Sequence, residues 1–165
     1  IPCTGLRFFT VYGPWGRPDM APMIFTKSIF KNEKIDIYNF GKMVRDFTFI
    51  DDIVKGILKC CYKKATINES YDSKCMEASS SFAPFRIFNL GNSKPIELLK
   101  FIHILEEVIG IKAIKNFVNM KPGDVIKTEA NTSKLKSWIN FEPETDIYDG
   151  VCIFIKWYKN YYGLD

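Results

Sequence analysis

The feature that most constrains this chain lies near its start. A compact run of aromatic and β-branched residues, Gly5 to Val11, breaks into the turn-dense loop Gly13-Pro14-Trp15-Gly16-Arg17-Pro18. A short continuous apolar run bounded by turn formers reads as a buried strand, and a buried strand needs partners. Ile35 to Tyr38 and Arg45 to Ile50 read as strands on either side of a turn around Gly41. Phe85 to Leu90 reads as another, closed by Gly91-Asn92, and Lys115 to Met120 as one more before the turn Pro122-Gly123-Asp124.

A helical period alternates with these strands. A helix is expected after Asp19, with Ile24, Phe25, Ile29 and Phe30 as its apolar face. Asp51 and Asp52 stand where a second helix should start, ahead of the stripe Ile53, Ile57, Leu58 and Cys61. Pro95 to Ile109 is the strongest helical pattern: Leu98, Leu99, Ile102, Leu105 and Ile109 share one side, and Gly110 closes the end. Thr132 is expected to cap a helix through Trp138, and Thr145 a last helix through Tyr161. Lys63 to Pro84 is polar, serine-rich and without period, which predicts an exposed, mobile loop of unusual length for a compact domain. The organisation is mixed α/β without internal repeats.

Composition narrows the partners. The 165 residues make one ordinary domain or part of a larger one. No run reaches the ~18 apolar residues of a membrane span, and no basic leader precedes an apolar stretch, so neither membrane nor secretion is expected. The net charge of +4 is spread along the chain, which gives no nucleic-acid footprint but suits an anionic small molecule. Cys3, Cys60, Cys61, Cys75 and Cys152 are odd in number and contain no C-x-x-C, so reduced thiols in a cytoplasmic protein are expected, with no disulfide framework and no zinc. The chain opens on Ile1-Pro2 rather than methionine, the mark expected of a piece of something longer.

Candidate chemistry is sparse. Tyr38-x-x-x-Lys42 has the spacing of a proton-shuttling pair on a helix, but Asn39 and Gly41 put it in a turn, where it is a chance match. Asp51-Asp52 is expected to cap rather than to catalyse. His103, the sole histidine, falls with Glu97, Lys100 and Glu107 on a polar helix side and reads as solvated. Arg45 beside Asp46 reads as a surface ion pair of little energetic weight. Arg17 stands in a loop directly after a strand, where function often resides; its guanidinium could take a carboxylate or phosphate in two bonds, although composition alone favours a solvated arginine. The chain contains no G-x-x-G-x-x-G or G-x-G-x-x-G after a strand, and no helical Tyr/Lys pair with a Ser/Thr partner.

The wording of the sequence adds to its periodicity. The run from Gly5 to Ala21, with Ile35-Asp-Ile-Tyr-Asn39, Gly41-Lys-Met43, Arg45-Asp-Phe-Thr-Phe-Ile-Asp-Asp-Ile53, Phe88-Asn-Leu-Gly-Asn-Ser93, Lys121-Pro-Gly-Asp-Val125 and Trp157-Tyr-Lys-Asn-Tyr161, closely resembles UDP-glucuronate 4-epimerases. These belong to the extended short-chain dehydrogenase/reductase family. Only the stretch from Lys63 to Pro84 stands outside the likeness. The resemblance implies an α/β fold made of the C-terminal substrate-binding part, residues 13–165, preceded by one leftover Rossmann strand, residues 1–12, of an NAD-binding domain.

It further implies that Thr10 and Arg17 meet the glucuronate carboxylate, which reverses the reading of Arg17 from composition. Arg45 would hold the UDP phosphates, Tyr38 would lie against the uracil, and Asp124 would accept from the ribose or base region. Phe8 and Phe9 would sit near the nicotinamide, while Lys121 holds a place that differs among subgroups and takes no role. Such enzymes use NAD to oxidise C4 of the sugar and return hydride to its other face. The Gly-rich loop, the catalytic Tyr, Lys and Ser/Thr, and most of the homodimer interface are expected to lie outside this chain. NAD is therefore expected for the full-length family and none for this chain alone, with no catalytic residue in it. A UDP-sugar, and a separate N-terminal Rossmann half, are the expected partners, in polysaccharide or capsule biosynthesis. Two alternatives stay open: a non-catalytic UDP-sugar-binding module and a decayed gene product.

Overall fold

The run Gly5 to Val11 forms two strands rather than one. In the computed structural model, which describes residues 1–72, 74 and 77–164, β1 (Cys3–Phe8) and β2 (Thr10–Tyr12) are separated at Phe9. β1 runs parallel to β6 (Phe85–Leu90), whereas β2 runs parallel to β5 (Phe47–Phe49). The crossing is made by consecutive amides: Phe9 N donates to Leu90 O at 3.3 Å and Thr10 N to Asp46 O at 3.2 Å. No residue of β1 is buried, and Phe8 is 49% exposed. The expected buried strand is thus an open-edged one, because β1 is paired on one side only among the described residues. The partner it needs is β6 of this chain, which lies beside it along its whole length.

The predicted strand Arg45 to Ile50 is also split, into β4 (Val44–Arg45) and β5, with Asp46 between them. β3 (Lys34–Tyr38) pairs in parallel with β8 (Ile114–Val118), and β4 pairs antiparallel with β7 (Ile96–Glu97). That short pairing takes the first turn from the helix expected at Pro95, so α3 begins at Leu98 and runs to Ile109, where Gly110 closes it in the left-handed conformation.

The other helices are α1 (Ala21–Phe30), α2 (Ile50–Tyr62), α4 (Ser133–Ile139) and α5 (Ile147–Tyr162). Asp51 and Asp52 lie in the first turn of α2, inside the cap position held by Phe49. Asp52 is not a solvent-facing cap: it is buried and accepts from Thr145 N at 3.0 Å. The cap of α5 is Asp146, which accepts from Tyr148 N, and not Thr145. Thr132 does precede α4, but its side chain makes no capping bond, and Asn131 Oδ1 accepts from Ser133 N in its place. Leu58 and Cys61, expected on the buried stripe of α2, are exposed, and Gly56 and Cys60 are buried instead.

Between Tyr62 and Phe85 the described residues form a bridge from Ser80 to Arg86 and no further regular structure. Ser73, Cys75 and Met76, which fall within the predicted loop, lie outside the described residues. Cys3, Cys60, Cys61 and Cys152 are free thiols. Among the described residues no helix is long and apolar enough to cross a membrane.

Two apolar clusters hold these elements. The larger joins β2, α1, β3, β5, α3 and α5. At its centre Phe47 stacks on Phe101 with centroids 4.3 Å apart, and Tyr12 sets its ring edge-on to Phe47, Phe49 and Phe101. α5 approaches this nest because Gly150 has no side chain: a Cβ there would lie 2.0 Å from Tyr12 Oη. The smaller cluster, Ile53, Cys60, Phe88, Leu90 and Leu135, fills the space between α2, β6 and α4.

Candidate functional site

One hollow of about 450 Å³ collects most of the expected site residues. Thr10, Tyr38, Arg45 and Asp124 all line it, on an apolar floor that includes Phe25, Ile35, Phe47 and Leu98. Its volume lies within the range of small-molecule sites, as does its make-up of apolar walls with a few polar groups. Another hollow, of about 380 Å³, lies among Ser79, Arg86, Lys134 and Trp138; none of the expected residues reaches it.

Each polar wall has a local cause. Thr10 opens β2, one residue past the crossing. Tyr38 ends β3, where the chain turns through Asn39, Phe40 and Gly41. This confirms that Tyr38 and Lys42 do not share a helix face. Asp124 closes a turn in which its N–H donates to Lys121 O at 3.2 Å. Pro122 and Gly123 occupy the middle of that turn, and Gly123 takes φ +82°, the left-handed value that a type II turn demands at its third position.

Arg45 is fixed more firmly than a surface pair. Its guanidinium donates to Val44 O at 2.9 Å, Ile126 O at 3.1 Å and Asp124 Oδ1 at 3.0 Å. Its side chain is 18% exposed and that of Asp124 34%. The expected partner, Asp46, points the other way into the core and is fully buried. Adjacent strand residues face opposite sides, so Arg45 and Asp46 cannot pair while Arg45 faces the hollow.

Arg17 does not line the hollow. It donates from Nε to Asp19 Oδ1 at 3.1 Å and from Nη2 to Asp19 Oδ2 at 2.5 Å. That bidentate bond holds the Asp19 carboxyl below its usual range. Asp19 does line the hollow, so the guanidinium stands one carboxylate away from it. The loop carrying Arg17 is pinned by Trp15, whose ring centroid lies 5.4 Å from that of Trp157 and 5.1 Å from that of Tyr161 on α5.

Several lining residues escaped sequence reasoning. Lys121 Nζ stands 4.2 Å over the Tyr38 ring, and contact with that side chain raises its pKa. Lys34, Asp36 and Asp19 complete a rim of mixed charge. Ile24, expected in the core, is 44% exposed because it faces the hollow. The signal for Ile24 was present: it lies one position from the Phe25–Ile29 stripe. Lys121, given no role from the sequence, is brought to the hollow by the turn that folds it back. His103 is exposed as expected, beside Glu107 at 3.5 Å. Among the described residues no three His, Cys, Asp or Glu side chains gather into a metal site.

Residues 1–72 match the NAD dependent epimerase/dehydratase family. Protein CapI of Staphylococcus aureus is 48% identical over 162 residues, covering 98% of this chain and 48% of its own length. UDP-glucuronate 4-epimerase 4 of Arabidopsis thaliana is 45% identical over 98% of this chain and 37% of its own. Among solved structures, the UDP-glucuronic acid 4-epimerase of Bacillus cereus in complex with UDP-glucuronic acid and NAD superposes with a TM-score of 0.80 at 30% identity, over 98% of this chain and 46% of that one. The chain spans about half the length, or less, of the relatives it matches. By sequence and by fold alike, it is homologous to the UDP-glucuronate 4-epimerases of the NAD dependent epimerase/dehydratase family.

Proposed function

We propose that this chain forms the nucleotide-sugar-binding side of an NAD-dependent UDP-glucuronate 4-epimerase. The observation that carries the reading is the convergence of Thr10, Tyr38, Arg45 and Asp124, scattered over more than a hundred residues, on one hollow. In this reading residues 1–12 belong to the NAD-binding side and residues 13–165 to the sugar side. Tyr38 offers a ring to the uracil, Arg45 a fixed cation to the diphosphate, and Asp124 an acceptor to the ribose or base. Thr10 and Arg17 receive the sugar carboxylate, with Arg17 leaving Asp19 to do so.

NAD would supply the hydride acceptor and donor. The 165 residues contain no glycine-rich strand-to-helix turn to cradle its pyrophosphate, so these residues bind and orient the sugar nucleotide and no redox step is assigned to them. The sharpest test is Arg17→Ala titrated calorimetrically with UDP-glucuronate and UDP-glucose. A charge-assisted bond contributes about 1.5–3 kcal/mol, so affinity for UDP-glucuronate should fall about 10- to 100-fold while that for UDP-glucose holds. Equal losses for both would refute the carboxylate role. Failure of the parent chain to bind either ligand at millimolar concentration would refute the site.

A further inference from the structure

We infer that Asp46 is a positioning residue for this cavity: its buried carboxylate fixes the strap, residues 124–130, on which Asp124 meets Arg45. The inference rests on the nucleotide-sugar reading. Asp46 is fully buried, and among the described residues no lysine or arginine lies within ion-pair distance of it. A carboxylate so placed is costly unless hydrogen bonds satisfy it. Three backbone N–H groups do so: Asn92 N to Oδ1 at 3.2 Å, Ser93 N to Oδ2 at 3.0 Å and Ala130 N to Oδ2 at 2.9 Å. They come from two segments remote from Asp46 and from each other in sequence.

The strap lies along β4 in parallel. Val44 N donates to Ile126 O at 2.8 Å, Thr128 N donates to Val44 O at 3.1 Å, and the Ala130–Asp46 bond continues the series. Because neighbouring strand residues face opposite sides, one dipeptide grips the strap twice. Arg45 holds its cavity end through Asp124, and Asp46 holds its core end through Ala130. The Asp46 carbonyl also accepts from Thr10 N at 3.2 Å, so both sides of the cavity are referred to this residue. The packing here leaves no slack: a Cβ on Gly91 would lie 2.6 Å from that of Ala130 and 3.3 Å from Asp46 Oδ2.

A purely structural staple would stabilise the chain without tuning the ligand, and Asp52 supplies the comparison. It too is buried and accepts a backbone N–H, but that bond joins α2 to Thr145, away from the cavity. The experiment titrates the parent, Asp46→Asn and Asp52→Asn with UDP and with uridine, alongside urea melts. Asparagine keeps the volume of Asp46 but sets an NH₂ against inward-pointing donors, loosening the strap and the Arg45–Asp124 geometry. Asp46→Asn should bind UDP about tenfold more weakly, a change of about 1.4 kcal/mol, with a smaller change for uridine. Asp52→Asn should lose stability and keep the parent's ratio of UDP to uridine affinity.

Retention of that ratio by Asp46→Asn would overturn the inference. If Asp46→Asn does not fold, Ser93→Ala takes its place. Ser93 is exposed and its Oγ donates to Ala130 O at 2.8 Å, so its loss slackens the same end of the strap. A reduced ratio in Ser93→Ala supports the inference, and an unchanged one overturns it. A parent with no preference for UDP over uridine would overturn the nucleotide-sugar reading itself.

Discussion

The cluster around Phe101 and the cluster around Leu90 are closed in different ways. The first is a nest of rings packed by three helices and three strands, and its Phe47 continues straight into the cavity wall. The second has five buried members and lies on one face of the two-stranded pair β1–β6, whose outer strand has no buried residue. A side chain in the nest is held by contacts from many elements, while one in the small cluster answers to a helix or two. The cavity is thus built on the more densely braced part of the molecule, and the β1 side is its more open flank.

Phe101→Ala should put the contrast to its hardest test. Removing a fully buried aromatic costs about 3–5 kcal/mol; a urea melt should show that loss in one cooperative transition, with weakened UDP binding because Phe47 loses its stacking partner. Retained binding at such a loss would separate cavity from nest. Leu90→Ala should cost about 2–5 kcal/mol, toward the lower end, because the open-edged pair can close in around the void. Its near-UV signal from the Tyr12–Phe47–Phe101 nest should persist, and faster amide exchange should appear in β1 and β6 first. Uniform acceleration across both clusters would erase the distinction.

A smaller effect probes the back of the nest. Burial alone would raise the Glu106 carboxyl, but a hydrogen bond from Lys115, another from Ala113 N and the charges of Lys115 and Lys112 outweigh it and hold it below its ordinary value of 4.5. Its folded pKa is depressed, so its stabilisation is present above about pH 4.5 and is lost as pH falls through the lower folded value. Glu106→Gln should therefore cost about 1–3 kcal/mol at neutral pH, with the gap to the parent narrowing on acidification below pH 4.5. A gap independent of pH would assign the effect to packing.

What the sequence disclosed follows from the range of the forces involved. α3, its Gly110 stop, β6 and the Pro122-Gly123-Asp124 turn were legible because period and turn chemistry are local. The splitting of Gly5 to Val11 was not, since nothing local marks the place where a strand exchanges one partner for another. Asp52 and Asp46 misled for a common reason. A carboxylate near a helix start or beside an arginine suggests a cap or an ion pair, yet both here turn inward to backbone N–H groups that arrive from distant segments. Tyr38, Arg45 and Asp124 were singled out through family resemblance, and only the fold brings them to one hollow. Arg17 stands apart from that hollow because Asp19, two residues on, satisfies its guanidinium.

The crossing at Phe9 has a mechanical meaning. A single residue, Phe9, separates an amide bonded to Leu90 from one bonded to Asp46, and the Cα atoms of Phe9 and Thr10 stay about 3.8 Å apart across their trans peptide. Thr10, on the cavity wall, is thereby tethered to the open-edged strand by a link one residue long. A slide of β1 against β6 reaches the cavity wall through the two backbone dihedrals of Phe9 alone, with no loop between them to take up the rest.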